Sequence, residues 1–291
     1  MMNEDFIVSL PTQEKVKRNA FKTLKWLYIG IIMLLLYLPV IFIIILSFNK
    51  NKVGTEFTTF TLEFYKGMFE KEMLRDAIIN TLSISVLSTL LSTILGTLFA
   101  IGINGLSKKK RKAIILMNNI PILNADIVSA VFLFLIFRTL GNFMGIRYPL
   151  GYVTLLLSHM FFSLPYVVLS VLPKLKEIDD NLFDAALDLG CKPKKALNKV
   201  IIPSIMGGVF SGAVLAFTMS IDDFTISYFV SGAKIQNLSI WIYTSSSNAR
   251  FGNMQSAYAF YSVVTIFLFV GLLSYYIFKS KKIDKKKGAL R

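Results

Sequence analysis

Long apolar stretches, separated by short polar or charged segments, dominate the hydropathy pattern of this chain. Each stretch is long enough, at ~1.5 Å per helical residue, to cross the ~30 Å hydrocarbon core of a lipid bilayer. The pattern therefore predicts an all-α integral membrane protein with six transmembrane helices. The predicted spans are residues 26–48, 77–106, 113–137, 149–172, 204–230 and 257–278.

The segments outside the spans predict a single membrane domain, because no Pro/Gly/Ser-rich linker divides the chain. Residues 1–25 form a polar N-terminal segment, residues 26–278 the six-span domain and residues 279–291 a basic tail. The first apolar stretch exceeds the ~7 to 15 residues of a signal-peptide core, and no small-residue cleavage site follows it. We therefore expect this span to be retained as a signal anchor.

The charge distribution predicts the orientation in the membrane. The 291 residues carry a net charge of +15, which in a soluble protein would suggest nucleic-acid binding. However, 23 of the 32 Lys and Arg residues fall on one side of the predicted membrane, in short segments beside the spans. Such segments stay in the cytoplasm. The sequence thus predicts cytoplasmic N and C termini, contact with membrane lipid and no nucleic-acid partner.

The longest cytoplasmic loop, residues 173–203, is patterned as two short helices joined by a tight turn. Asp179 or Asp180 can serve as the N-cap of the first helix and Gly190 as its C′ residue, while Pro193 suits the first turn of the second helix. One side of the first helix is apolar and must be buried against something. A partner protein is one candidate, and the underside of the bundle or the lipid interface is the other. This predicted face consists of Leu182, Phe183, Ala186 and Leu189.

Ionisable residues inside the predicted spans are candidates for function, since a carboxylate at the centre of a span costs roughly 2.5 to 3.5 kcal/mol on insertion scales. Asp222 and Asp223 are predicted near the outer end of span five, and Asp126 about 20 Å into span three. Adjacent positions on one helix cannot share a face. We therefore expect one of the two neighbouring aspartates to line a route and the other to bind a neighbouring span or a partner subunit. The sequence does not say which aspartate does which.

Acidic residues without basic partners in the spans indicate a cationic cargo. Alkylamines are protonated at pH 7 and favour carboxylates together with aromatic faces. Nearby aromatic residues could instead belong to an interfacial belt, and the lone histidine, His159, could be a hydrogen-bonding residue between helices rather than part of a route. The candidate pathway residues are Asp126, His159, Asp222, Asp223, Phe224 and Tyr228, with Phe217, Trp241 and Tyr243 as further candidate walls.

The loop resembles the signature of the membrane-spanning permease subunits of ABC importers. That signature is Glu-Ala-Ala, three residues, Gly, nine residues, Ile, one residue and Leu-Pro. Asp replaces Glu, Val replaces Ile and Ile replaces Leu here. The matching residues are Asp184, Ala185, Ala186, Gly190, Val200, Ile202 and Pro203.

Within that family, the segments "NADIVSAVFLF", "DAALDLG" and "LAFTMSIDDFTISYFVSG" make the chain similar to permeases of the spermidine/putrescine type. The resemblance implies a type I ABC importer permease fold in the bacterial plasma membrane. It also implies a second permease subunit, ATP-binding ABC subunits and an extracytoplasmic polyamine-binding protein. The residues that it places at the ATPase are Asp184, Ala185, Ala186, Gly190, Phe183 and Pro203.

Several activities are not expected. The chain contains no G-x-x-x-x-G-K-[ST] phosphate loop, so we expect ATP hydrolysis to reside in a partner subunit. It shows no metal-ligand cluster and no nucleophile, base and orienting group, so neither an enzyme nor a cofactor is expected. Two other transport hypotheses stay open. One is a permease for another organic cation or an osmolyte, and the other is an ion-coupled transporter that uses Asp126 and Asp222 as relay groups.

Overall fold

Helices account for nearly all of the regular structure in this protein. The structure, a computed structural model, describes residues 12–50, 57–70, 72–179, 181–233, 235–247 and 254–288. The helices there are α1 (Thr12–Ser47), α2 (Glu63–Glu70), α3 (Glu72–Asn104), α4 (Lys108–Asn118), α5 (Ile120–Leu123), α6 (Asp126–Phe143), α7 (Tyr152–Lys176), α8 (Asn181–Asp188), α9 (Pro193–Ala196), α10 (Ile202–Ile221), α11 (Thr225–Val230), α12 (Leu238–Ser247) and α13 (Met254–Gly288), with a π-helical turn over Leu197–Ile201.

The predicted number of spans is confirmed. Among the described residues, six helical segments are long and apolar enough to cross a membrane. Apolar side chains cover much of their outer surfaces, as expected for helices whose solvent is lipid. They run over Phe21–Ser47, Glu72–Asn104, Asp126–Phe143, Tyr152–Lys176, Pro193–Ile221 and Gln255–Tyr275.

The chain divides into two compact units. One comprises residues 1–67 and 252–291, in which α1 packs against α13. The other, residues 68–251, is centred on three helices, α3, α7 and α10, that pack closely on one another. The latter unit contains every residue that the sequence singled out for function. Its interior is lined by small and β-branched side chains, including Ala100, Val167, Val171, Ile205 and Ala216.

The predicted third span, residues 113–137, is wrong in its position. The chain instead forms α4 and α5, turns at Asn124 and Ala125, and starts α6 at Asp126. Both turn residues have extended backbones, with ψ of 150° and 137°. Pro121 lacks a backbone N–H, and asparagine side chains compete with helical hydrogen bonds, so this sequence favours an interruption. Asp126 is consequently the first residue of a helix and not the middle of one.

The predicted fifth span, residues 204–230, also needs correction at both ends. Its helix begins at Pro193, because the second helix of the loop continues through the π-helical turn into α10. Pro203 has no backbone N–H and cannot donate a hydrogen bond to the carbonyl oxygen four residues before it. The π-helical turn directly precedes Pro203 in the chain, and there the N–H of Ile202 donates to the carbonyl oxygen of Leu197. At the other end the helix stops at Ile221.

Close approach between helices depends on glycine. A Cβ on Gly208 of α10 would lie 2.7 Å from the carbonyl oxygen of Ser170, and one on Gly212 would lie 3.0 Å from the Cα of Val167, both on α7. These glycines form a G-x-x-x-G pattern, which lets the backbones of two membrane helices come together. Packing and local hydrogen bonds, rather than burial from water, hold such helices together.

We expect Gly208→Ala to destabilise the protein, because the new methyl group meets backbone atoms that cannot rotate away. Overpacking of this kind typically costs about 1–3 kcal/mol. The measurement is the midpoint of thermal unfolding in detergent. Gly102→Ala in α3 is the matched control, since a Cβ there meets nothing within 4 Å. Equal midpoints for the two variants would contradict the packing described here.

Candidate functional site

The break between α10 and α11 is built around the carboxylate of Asp223. Its Oδ1 accepts a hydrogen bond from the backbone N–H of Ile226 at 3.3 Å, and its Oδ2 accepts from the N–H and the Oγ–H of Ser227, both at 2.8 Å. A carboxylate in this position satisfies the free N–H groups at a helix N-terminus and complements the helix dipole. Asp223 therefore caps α11, which explains why one continuous helix was the wrong prediction.

The segment before α12 completes this turn. Asn237 donates from Nδ2 to the carbonyl oxygen of Asp223 at 2.8 Å and accepts the N–H of Ile240 on its Oδ1 at 2.9 Å. The hydroxyl of Ser239 donates to the carbonyl oxygen of Asp222 at 3.4 Å. Asn237 thus caps α12 while fixing the turn. Sequence reasoning missed it, although an asparagine directly before an apolar run is a signal for a helix N-cap.

His159 of α7 lies against the same turn and is only 1% exposed. Its Nδ1 is 2.6 Å from Ser220 Oγ, its Nε2 is 3.0 Å from Ser227 Oγ, and Ser220 Oγ is 3.0 Å from Ser88 Oγ of α3. These contacts agree with the interpretation of His159 as a hydrogen-bonding residue between helices. Ser88 was not found by sequence reasoning, since a single serine in an apolar helix carries no distinguishing signal.

Asp222, in contrast, faces outward at the end of α10. Among the described residues its carboxylate has no ion pair. The two neighbouring aspartates therefore have different surroundings, and which of them lines a route stays a prediction. Asp223 serves the protein's own helix and its neighbour α7, whereas Asp222 presents its charge at the surface of this unit.

Three aromatic rings form a cluster that includes Phe224, which follows Asp222 and Asp223 in the chain. The ring of Phe224 lies 4.9 Å from that of Tyr243 and 5.5 Å from that of Tyr228, and the two tyrosine rings are 6.0 Å apart. Both tyrosines are exposed. Trp241, a predicted wall, is only 5% exposed and belongs to the interior instead. Exposed carboxylates and exposed aromatic rings are the groups that favour an alkylammonium ion, through ionic and cation–π contact respectively.

Asp126 lies elsewhere in the unit. It is exposed as the first residue of α6, and none of the hydrogen bonds or ion pairs found for the described residues joins it to the Asp222 turn. Its predicted place in a transport route stays a prediction.

The loop between α7 and α10 forms the predicted helical hairpin, which we define as residues 181–201. Gly190 has φ of +80°, its N–H donates to Leu187 O at 2.8 Å, and the N–H of Cys191 donates to Ala186 O at 3.0 Å. This pair of bonds is the Schellman motif, which requires a left-handed residue at C′. The prediction that Gly190 ends the first helix is confirmed. Asp179 accepts the N–H of Asn181 at 3.0 Å just before that helix.

The apolar face predicted for α8 is split between two directions. Ala186 is buried, and Phe183 lines a pocket of about 270 Å³ formed by its own bundle. Leu189 is 86% exposed, and Leu182 is exposed as well. Half of this face therefore packs on the chain's own bundle, which was one of the two open alternatives, and half is exposed. Docking of the exposed half on a partner protein stays a prediction. The pocket is lined by Ile101, Asn104, Gly105, Leu175, Ile178, Asp179, Phe183, Leu197 and Ile201.

The surface of the hairpin that faces away from the bundle is both charged and apolar. Asp184 and Ala185 are exposed, as is Pro203 at the base of α10. The exposed residues of α8 and of the turn after it include two carboxylates, Asp184 and Asp188, together with Leu182, Ala185 and Leu189. The π-helical turn joins the hairpin directly to α10, so one helical run leads from the hairpin to the Asp222 turn.

Comparison with known proteins finds similarity to transport proteins. Residues 92–283 match the model of the family described as "Binding-protein-dependent transport system inner membrane component". The spermidine/putrescine transport system permease protein PotC of Haemophilus influenzae is 34% identical over 227 residues, covering 78% of this chain and 83% of that protein. The putrescine transport system permease protein PotI of Escherichia coli K12 is 29% identical over 211 residues, covering 72% of this chain and 75% of that protein.

A solved structure shares the fold. A chain from the crystal structure of a bacterial ABC transporter involved in the import of the acidic polysaccharide alginate superimposes with a TM-score of 0.69 and 19% identity. The match covers 91% of this chain and 98% of that one. At this identity the likeness concerns the fold alone. Together with the family match, which spans well over half of the sequence, these relationships show that the chain belongs to the family of inner-membrane components of binding-protein-dependent transport systems.

Proposed function

We propose that this chain is a membrane subunit of an ATP-driven importer of polyamines such as spermidine and putrescine. One observation carries the proposal. Two features suit a flexible chain of methylene groups that ends in ammonium groups, namely the exposed carboxylate of Asp222 and the clustered rings of Phe224, Tyr228 and Tyr243. The names of the two relatives, which specify spermidine and putrescine, support the same cargo.

The candidate residues take different parts in this proposal. Asp222 pairs with an ammonium group of the cargo, while Phe224 and Tyr228 contact the methylene chain and the second charge. Asp126 provides a further carboxylate on the route. Asp223 and His159 hold the turn that presents Asp222. Inward movement of a cation is favoured by a membrane potential that is negative inside, by ~2.3 kcal/mol per charge per 100 mV.

In the proposal, ATP hydrolysis in a partner subunit drives transport through contact with the hairpin. In the proposal, the outward surface of α8, with Asp184 and Leu189, docks on a separate ATP-binding subunit in the cytoplasm, and both termini of this chain are cytoplasmic. A second permease subunit completes the pathway, and an extracytoplasmic binding protein delivers the cargo. The exposed apolar residues Leu182 and Leu189 support docking, since solvated loops rarely keep such a surface uncovered.

The proposal is tested by uptake of labelled spermidine into proteoliposomes that contain the assembled complex. We expect accumulation only when ATP is available to the ATP-binding subunit, and competition by putrescine in preference to an osmolyte such as glycine betaine. Competition by glycine betaine alone would contradict the polyamine cargo. Accumulation by this chain without an ATP-binding subunit would contradict the ATP-driven mechanism and favour an ion-coupled transporter.

A further inference from the structure

One buried side chain links the two helix ends at the cargo turn, which we define as Asp222, Asp223 and Phe224. Ser220 lies in the last turn of α10 and Ser227 in the first turn of α11, on opposite sides of the cargo turn. The two ring nitrogens of His159 reach these two hydroxyls, at 2.6 Å and 3.0 Å. The imidazole therefore connects the helices across the point where the backbone bonds between them are interrupted.

The directions of these hydrogen bonds follow from counting protons. The single hydroxyl proton of Ser227 is donated to Asp223 Oδ2 at 2.8 Å, so Ser227 Oγ is left as an acceptor for the Nε2–H of His159. A neutral ring then accepts at Nδ1, which requires the proton of Ser220. Ser220 Oγ also lies 3.0 Å from Ser88 Oγ, whose own hydroxyl donates to the carbonyl oxygen of Ser85 at 3.3 Å. Connected hydrogen bonds of this kind hold a buried structure in one arrangement.

His159 cannot itself reach a cargo molecule in this arrangement, because it is 1% exposed and its nitrogens are occupied. Its Nε2 also lies 3.6 Å from Oδ2 of Asp223, the residue that caps α11. On the other side of the cargo turn, Asn237 and Ser239 donate to the backbone carbonyl oxygens of Asp223 and Asp222. His159 of α7 adds the side-chain contacts that join the two helix ends to each other.

We propose that His159 is a positioning residue that fixes the orientation of Asp222 and Phe224 for cargo binding. The inference rests on the proposed function, since it concerns the same cargo site. Without the imidazole, the ends of α10 and α11 move independently, and Asp222 no longer stands in a single place relative to the aromatic rings. A less ordered site binds its ligand more weakly, because the entropy lost in ordering the site adds to the free-energy cost of binding.

The test compares variants of His159 in the assembled transporter, with labelled spermidine as the probe. His159→Phe keeps an aromatic ring but removes both hydrogen bonds, and is expected to raise KM about tenfold at nearly unchanged Vmax. His159→Asn keeps one amide near the Nδ1 position and should restore part of the affinity. Ser158→Ala is the matched control, since Ser158 is equally buried on the same helix and bonds only to Thr154 O.

A double-mutant cycle with Asp222→Asn separates the two proposals. If His159 acts through Asp222, His159→Phe should change KM by less than about twofold in the Asp222→Asn background, because the effects of coupled residues are not additive. A full tenfold effect in both backgrounds, or a fall in Vmax at constant KM, would overturn the positioning role. Wild-type KM in Asp222→Asn alone would overturn the proposed cargo site instead.

Should His159→Phe fail to assemble, Ser220→Ala replaces it in the same cycle. The hydroxyl of Ser220 contacts only His159 and Ser88 among the hydrogen bonds found here. The same criteria then apply to its KM, Vmax and coupling to Asp222→Asn.

Discussion

Asp222→Asn is expected to raise the KM for spermidine uptake by about 10- to 100-fold while leaving the assembled complex intact. A hydrogen bond to a charged group is worth about 1.5–3 kcal/mol, and the amide keeps the shape of the side chain but removes the charge. The side chain is exposed and forms no ion pair among the described residues, so its loss should not disturb folding. The measurement is the concentration dependence of uptake, with subunit stoichiometry checked by co-purification.

Asp76→Asn is the matched control for this experiment. Asp76 is also an exposed aspartate, near the start of α3, and its partner is Arg75 at 3.6 Å. Exposed pairs of this kind contribute about 0–1 kcal/mol, so its replacement should leave KM within twofold of wild type. Similar changes in both variants would indicate a general effect of surface charge and would remove the specific role of Asp222.

Phe183→Asp is expected to abolish coupling between ATP hydrolysis and uptake, lowering the amount of spermidine moved per ATP by at least tenfold. Phe183 lines the pocket between α8 and its own bundle together with Ile101, Leu175 and Leu197. A charge placed among these residues costs several kcal/mol unless the hairpin moves away from the bundle. A detached hairpin can still meet an ATP-binding subunit but no longer moves α10.

Leu189→Asp provides the contrasting variant on the same short helix. Leu189 points away from the bundle, so its replacement should not detach the hairpin and should instead weaken co-purification of the ATP-binding subunit. Phe183→Leu, which keeps the apolar contact, should retain most of the coupling. Wild-type coupling in Phe183→Asp would contradict the role of the pocket as the attachment of the hairpin.

The Phe183 and Asp222 variants test opposite ends of one helical run. The segment from Pro193 to Ile221 is a continuous run of helix that begins in the hairpin and ends at the cargo turn. Close contacts of Gly208 and Gly212 with α7 hold the middle of this run. We propose that a movement at the hairpin shifts α10 as a unit and so displaces the cargo turn relative to His159 on α7.

Some elements could be predicted because their signals are local. Six apolar runs of sufficient length predict six spans whatever the rest of the chain does, since each must satisfy its own backbone hydrogen bonds in lipid. Gly190 could be recognised as a helix end because only a residue without a side chain adopts φ of +80° without strain.

Other features depended on residues far apart in the sequence. The continuous helices predicted through Asp126 and Asp222 were wrong. The periodicity of apolar residues shows which positions can face lipid or the interior. It does not show where backbone N–H and C=O groups form hydrogen bonds outside the helix. Asp223 ends α10 only because Asn237 and Ser239 are present to satisfy the exposed carbonyl oxygens. The orientation of Phe183 also depends on distant residues, because its side chain lines a pocket formed by its own bundle.

By itself, the sequence determined the membrane-spanning character, the number of spans, the hairpin and the acidic and aromatic residues that mark a cationic cargo. Only the tertiary structure decided that His159 joins Ser220 to Ser227 and that the rings of Phe224, Tyr228 and Tyr243 form one cluster. Hydropathy and helix capping act within a few residues, whereas a buried hydrogen bond exists only where packing brings its donor and acceptor together.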